Sequence, residues 1–294
     1  MTLLYALCLA LAVPATSPVT TPTSRPGGEI VPPARRDVPG KRIKLATGDL
    51  FVPDFFHASA GDDKADVVVW FLGAPWCAQQ VFYDAHKNAV LVALDPRVLQ
   101  HGFHDPADWR RVIDETANAL QSTGVSRGGV GKIVLASFSG GWTGVRDVLA
   151  RDDLAKAVTD VVLLDSLYAR DKSTNQIDQT SIAPFLRFAK RAAAGETTFV
   201  FTHLYPPEER YRGNTTTVCA AYLIDQLHVE KKPATGANSR GAKLLYRADE
   251  KNFHVLGYAG MTNQDHFDHF YGAADVLKLT SVSDAPPAPA ATRP

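Results

Sequence analysis

Charge of one sign, long apolar runs and paired cysteines are all scarce in this chain, and each scarcity excludes something. Lys and Arg together number 31, matched by 31 Asp and Glu, and no basic run is present that would track phosphates, so nucleic-acid binding is not expected. The longest apolar run near the N-terminus, Leu3 to Val13, is too short to span a bilayer. Stable membrane insertion is therefore not expected. There are 3 cysteines. Where Ala-Pro-Trp-Cys follows an apolar strand, at 74–77, a dithiol redox cycle would need a second thiol three positions on, and that position is Gln80. No H-E-x-x-H occurs, and the sequence shows no internal repeat.

What is present divides the chain into four stretches. Residues 1–15 have the length and apolarity of a secretory signal, with small residues for cleavage after Ala12 or Ala15. They predict an exported protein, secreted or periplasmic. The n-region lacks Lys and Arg, which leaves a merely disordered hydrophobic end as the alternative reading. Residues 16–40 are rich in Pro, Thr, Ser and Arg and read as a disordered linker, and 281–294 as a disordered tail. Between them, 41–280 leave about 240 residues, enough for one large domain. After signal removal, Cys77 and Cys219 remain. In an oxidising compartment they either form a disulfide or stay as two buried thiols.

The central stretch alternates two patterns. Apolar, β-branched runs occur at DVVVWFLG, NAVLVALD, KIVLAS, DVVLLDSLY, TTFVFTHL and NFHVLGYAG. Their near-continuous apolarity marks strands buried on both faces. Between them lie helical spacings, such as Trp109, Val112, Ile113, Ala117 and Leu120 on one face and Trp142, Val145, Val148 and Leu149 on another. The predicted fold class is α/β, a doubly wound, mostly parallel sheet. KRIKLATGDLFVP reads as an antiparallel lead-in. In such sheets the chemistry gathers at the carboxyl ends of the strands.

One of those ends reads KIVLASFSGGWTGVRDVLA. A serine between strand and helix, with small residues two before and two after, resembles the G-x-S-x-G nucleophile elbow of the α/β-hydrolase family. Here Ser139 is the central serine, Gly141 the later small residue, and Ser137 replaces the first glycine. The resemblance spans about 42–280 and implies helical cap insertions, placed at 169–195 and 205–241. It further implies a serine hydrolase acting on an ester or amide through an acyl-enzyme, with no cofactor or metal. The alternative is a noncatalytic domain that binds a ligand or cell-wall component in the same cleft.

The resemblance also assigns roles. Ser139 is the nucleophile, and the oxyanion hole is formed by the N–H groups of Gly140 and of Ala74, in the loop Leu72-Gly73-Ala74. The acid is Asp165, at the end of an apolar strand, with Glu208 (or its neighbour Glu209) in the next strand-end loop as the alternative. The base is His266, in the loop-to-helix turn after the last strand, with His269, almost a turn into the helix, as the alternative. Asp265, His266, Asp268 and His269 form a dense cluster, and His101 and His104 repeat the H-x-x-H spacing. Without a third ligand at metal spacing neither makes a metal site. The substrate, a small molecule or polymer carrying an acyl group, is not specified further, nor is the oligomeric state.

Overall fold

The computed structural model describes residues 29–286 apart from 104, 172–173, 175 and 207–214. The proposed signal segment, the first part of the expected linker, the end of the tail, His104 and both Glu208 and Glu209 lie outside the described residues.

Each apolar run forms a strand: β3 (Ala65–Phe71), β4 (Val90–Leu94), β5 (Val130–Phe138), β6 (Val158–Leu164), β7 (Thr198–Tyr205) and β10 (Phe253–Ala259). The lead-in is the antiparallel pair β1 (Gly40–Lys44) and β2 (Gly48–Pro53). Together with β8 (Lys232–Pro233) and β9 (Leu244–Glu250) they make one sheet in the order β1-β2-β4-β3-β5-β6-β7-β10-β9-β8. The six strands from β4 to β10 are mutually parallel, and the antiparallel strands lie at the two edges.

Successive residues of β3 point to opposite faces, which produces two cores. Val67, Val69 and Phe71 join one, and Val68 and Trp70 the other. The first is covered by α3 (Pro106–Ser122), α4 (Trp142–Leu149), α6 (Gln179–Ala194) and α7 (Thr215–Gln226), and includes Phe71, Phe103 and Trp109 packed ring against ring. The second is covered by α1 (Pro75–Ala85), α8 (Asn263–Tyr271) and α9 (Ala273–Leu277). Short α2 (Pro96–His101) and α5 (Asp152–Ala155) complete the set. Helices on both faces of a parallel sheet are what buried-both-sides strands require.

Two sequence expectations change here, and one question left open is resolved. The segments expected as a cap supply α6 and α7, which are crossover helices: Ile182, Phe185, Phe188 and Ala192 of α6 and Cys219 and Leu223 of α7 are buried on the sheet. An apolar stripe of that width stabilises a helix only against another apolar face. Of the two states left open for the cysteines, the structure has the two buried free thiols. Cys77 of α1 and Cys219 of α7 are free thiols in different cores, with the sheet between them, whereas a bridge needs Cα atoms within about 7 Å. The ends of the linker and tail are also packed. Val38 is buried, Arg36 N–H donates to Gln80 and its guanidinium pairs with Asp84, while Lys87 and Asp160 hold Asp284 and Ser281.

Among the described residues no helix is long and apolar enough to cross a membrane.

Candidate active site

Ser139 follows β5 directly and opens a single 3-10 turn, Ser139–Gly141, that runs into α4. Its φ is +50°, a left-handed conformation that costs a side-chain-bearing residue of order 1–3 kcal/mol and persists only when its surroundings enforce it. Part of that enforcement is close packing at Gly141, where a Cβ would stand 2.3 Å from the carbonyl oxygen of Phe71 on β3. A glycine is therefore required two residues after the serine. Ser137, two before it, is fully buried, and its Oγ lies 2.8 Å from Ser166 Oγ. The hydroxyl in place of a glycine is thus accommodated and partnered. Ser166 Oγ–H in turn donates to the carbonyl of Ser139 at 2.7 Å.

Asp165 stands one residue beyond β6, fully buried, with φ +40°. Burying a carboxylate is tolerable only where donors replace water, and three are present. Thr216 Oγ1–H and Leu204 N–H donate to Oδ1 at 2.6 and 3.1 Å, and His266 Nδ1 meets Oδ2 at 2.6 Å. Because a carboxylate only accepts, Nδ1 carries the proton in this pair and Nε2 is left as the basic nitrogen. The His266 ring stacks on Phe138, the residue before Ser139, with centroids 4.5 Å apart. Asp165, His266 and the strand end that carries Ser139 are thereby brought together from positions far apart in sequence.

His266 lies on the fourth residue of α8 rather than in the turn before it. The helix starts early because Thr262 and Asp265 form a capping box: Thr262 Oγ1 accepts from Asp265 N–H, and Asp265 Oδ2 accepts from Thr262 and Met261 N–H. His269 is buried one turn on, with Nδ1 2.7 Å from Thr202 Oγ1 and its ring edge-on to Tyr258. The contact with Asp165 belongs to His266. The other members of that cluster are committed locally: Asp265 caps the helix and Asp268 pairs with Arg240 and Gln264. Among the described residues no group of three or more His, Cys, Asp or Glu is arranged to hold a metal ion.

The loop between β3 and α1 faces the elbow. Leu72 and Gly73 have φ of +69° and +133°, Trp70 Nε1–H donates to the Leu72 carbonyl at 3.1 Å, and Phe270 of α8 fills the space a Cβ on Gly73 would need. Leu72 Cδ2 reaches to 3.7 Å from where a Cβ of Gly140 would stand. Ala74, the N-cap of α1, and Gly140 are both exposed at this edge. Cys77, one turn into α1, is buried, and desolvation pushes its thiol up to about 12. A thiol so protonated is a poor nucleophile.

Two groups that sequence reading passed over support this site. Ser166 and Thr216 each follow an unremarkable local pattern, and only the adjacency of β5, β6 and α7 gives them their partners. Behind Asp165, His203 is wholly buried; its Nδ1–H donates to the Leu204 carbonyl and its Nε2 accepts from Tyr246 Oη–H at 2.6 Å. Burial lowers its pKa to about 4, so it is a neutral structural group.

No family model and no curated protein matches the chain. Among solved structures it is similar to a putative carboxylesterase from Lactobacillus plantarum WCFS1, at 10% identity and a TM-score of 0.36, covering 65% of this chain and 83% of that one. It is also similar to the enterobactin esterase FES from Shigella flexneri, at 12% identity and a TM-score of 0.44, covering 83% of this chain and 60% of that one, less than two thirds of its length. Independently of those likenesses, the fold is α/β, a mostly parallel sheet flanked by helices, with Ser139 on a strained strand-to-helix turn.

Proposed function

We propose that the protein is a serine hydrolase that cleaves an ester or amide through an acyl-enzyme. The observation that carries this reading is the 2.6 Å contact between His266 Nδ1 and Asp165 Oδ2 beside a serine held at φ +50° on the adjoining strand end. In the reaction Ser139 Oγ attacks the carbonyl carbon while His266 Nε2 takes its proton. Asp165 fixes the tautomer and stabilises the imidazolium. The N–H groups of Gly140 and Ala74 receive the oxyanion, and the proton then passes to the leaving group. Water repeats the sequence on the acyl-enzyme, with His266 as base again. Every step uses groups of this chain. The apolar segment Leu3 to Val13 is what supports export of this activity.

The reading is tested with a short-chain aryl ester. Turnover should fall by roughly three or more orders of magnitude in His266→Ala and in Ser139→Ala. Undiminished turnover in either folded variant would reject it.

A further inference from the structure

Ser137 and Ser166 stand at the ends of the adjacent parallel strands β5 and β6, and neither is exposed to solvent. A hydroxyl has one proton to give. Ser166 gives its proton to the Ser139 carbonyl at 2.7 Å, so in the 2.8 Å contact between the two hydroxyls Ser137 is the donor. The chain of hydrogen bonds therefore has a direction, from Ser137 to Ser166 to the Ser139 carbonyl.

That carbonyl shares a peptide plane with Gly140 N–H, the group assigned to the oxyanion. A trans peptide is planar and sets its N–H opposite its C=O, so a partner that fixes the oxygen also fixes where the N–H points. The plane belongs to a residue at φ +50°, which has reason to relax unless it is held. Hydrogen bonds in series also polarise one another, so a donor on the carbonyl strengthens the N–H at the far end of the plane.

We propose that Ser166 is a positioning residue for the oxyanion hole: its hydroxyl holds the Ser139–Gly140 peptide so that Gly140 N–H faces the developing charge, and Ser137 orients Ser166. This rests on the acyl-transfer reading. It also explains why a serine is useful where the elbow commonly has glycine. No bond is made or broken by either hydroxyl, and their effect appears only when charge develops on the substrate oxygen.

The test measures the second-order rate of labelling by a fluorophosphonate, together with kcat and KM on p-nitrophenyl acetate. Ser166→Ala should lower the labelling rate and kcat by about tenfold, with KM and the midpoint of the pH profile unmoved. Ser137→Ala leaves Ser166 able to donate and should cost only about two- to threefold. The double variant S137A/S166A, which orphans neither hydroxyl, should match Ser166→Ala instead of showing the product of the two losses. Wild-type kcat in Ser166→Ala, a loss expressed in KM alone, or multiplicative losses in the double variant would overturn the proposal. If Ser166→Ala does not fold, the double variant and Ser137→Ala decide, and full activity in Ser137→Ala rejects the relay. Failure of the wild-type protein to label at Ser139 would instead reject the acyl-transfer reading.

Discussion

Asp165 and His266, 101 positions apart in sequence, meet at 2.6 Å, and the carboxylate that makes this contact is held from its other oxygen by Thr216 and Leu204. In the proposed reaction the acid therefore comes from the end of β6, the strand that follows α4 and α5. Asp165→Asn should lower ester turnover by roughly three to four orders of magnitude by presenting the wrong tautomer of His266. Thr216→Val, which keeps the shape and removes one donor, should cost about tenfold. Steady-state kinetics on a single aryl ester checks both.

His269 should behave differently. Its partner is Thr202 and its surroundings are Tyr258 and the second core, so His269→Ala should lower stability by about 1–3 kcal/mol. Its kcat should stay within a few fold of wild type. Loss of turnover with unchanged thermal stability would contradict the assignment of the base to His266.

The cysteines yield a mass prediction. Cys77 and Cys219 sit in cores on opposite faces of the sheet, so protein purified from an oxidising compartment should show both thiols free by nonreducing mass measurement after denaturation and alkylation. A two-proton deficit would contradict the fold. Cys77→Ser should retain probe labelling.

His203 sets an acid limit. Its pKa is about 4 in the folded protein, lowered by burial, against 6.5 for the free side chain. The unfolded chain thus binds the extra proton first. Stability should be fully present above about pH 6.5, fall as pH drops toward 4, and lose roughly 3 kcal/mol across that window. Denaturant unfolding at pH 7, 5.5 and 4.5 measures the slope, which a folded His203→Asn variant should flatten.

Much of the framework was legible because parallel strands buried on both faces leave continuous apolar runs, and all six such runs became strands. The strand-to-helix turn at Ser139 was legible because the serine follows an apolar run and Gly141 must be small. Strand β9 escaped notice: LLYRADE lies near the sheet's edge and carries an exposed Arg247–Asp249 pair, so its sequence resembles a polar loop. The start of α8 was misplaced because the Thr262–Asp265 capping box was not read. The Ser137–Ser166 contact depends on strand adjacency across 29 positions, and period-two alternation along β3, which separates the two cysteines, becomes decisive only once the helices are assigned to faces.

The central claim is that Ser139 is an activated nucleophile, and site mapping of a fluorophosphonate adduct tests it most directly. The probe should add to a single residue, Ser139, with labelling absent in folded Ser139→Ala and greatly slowed in His266→Ala. An adduct on Ser137 or elsewhere, labelling that survives Ser139→Ala, or no labelling of the native protein would contradict the account.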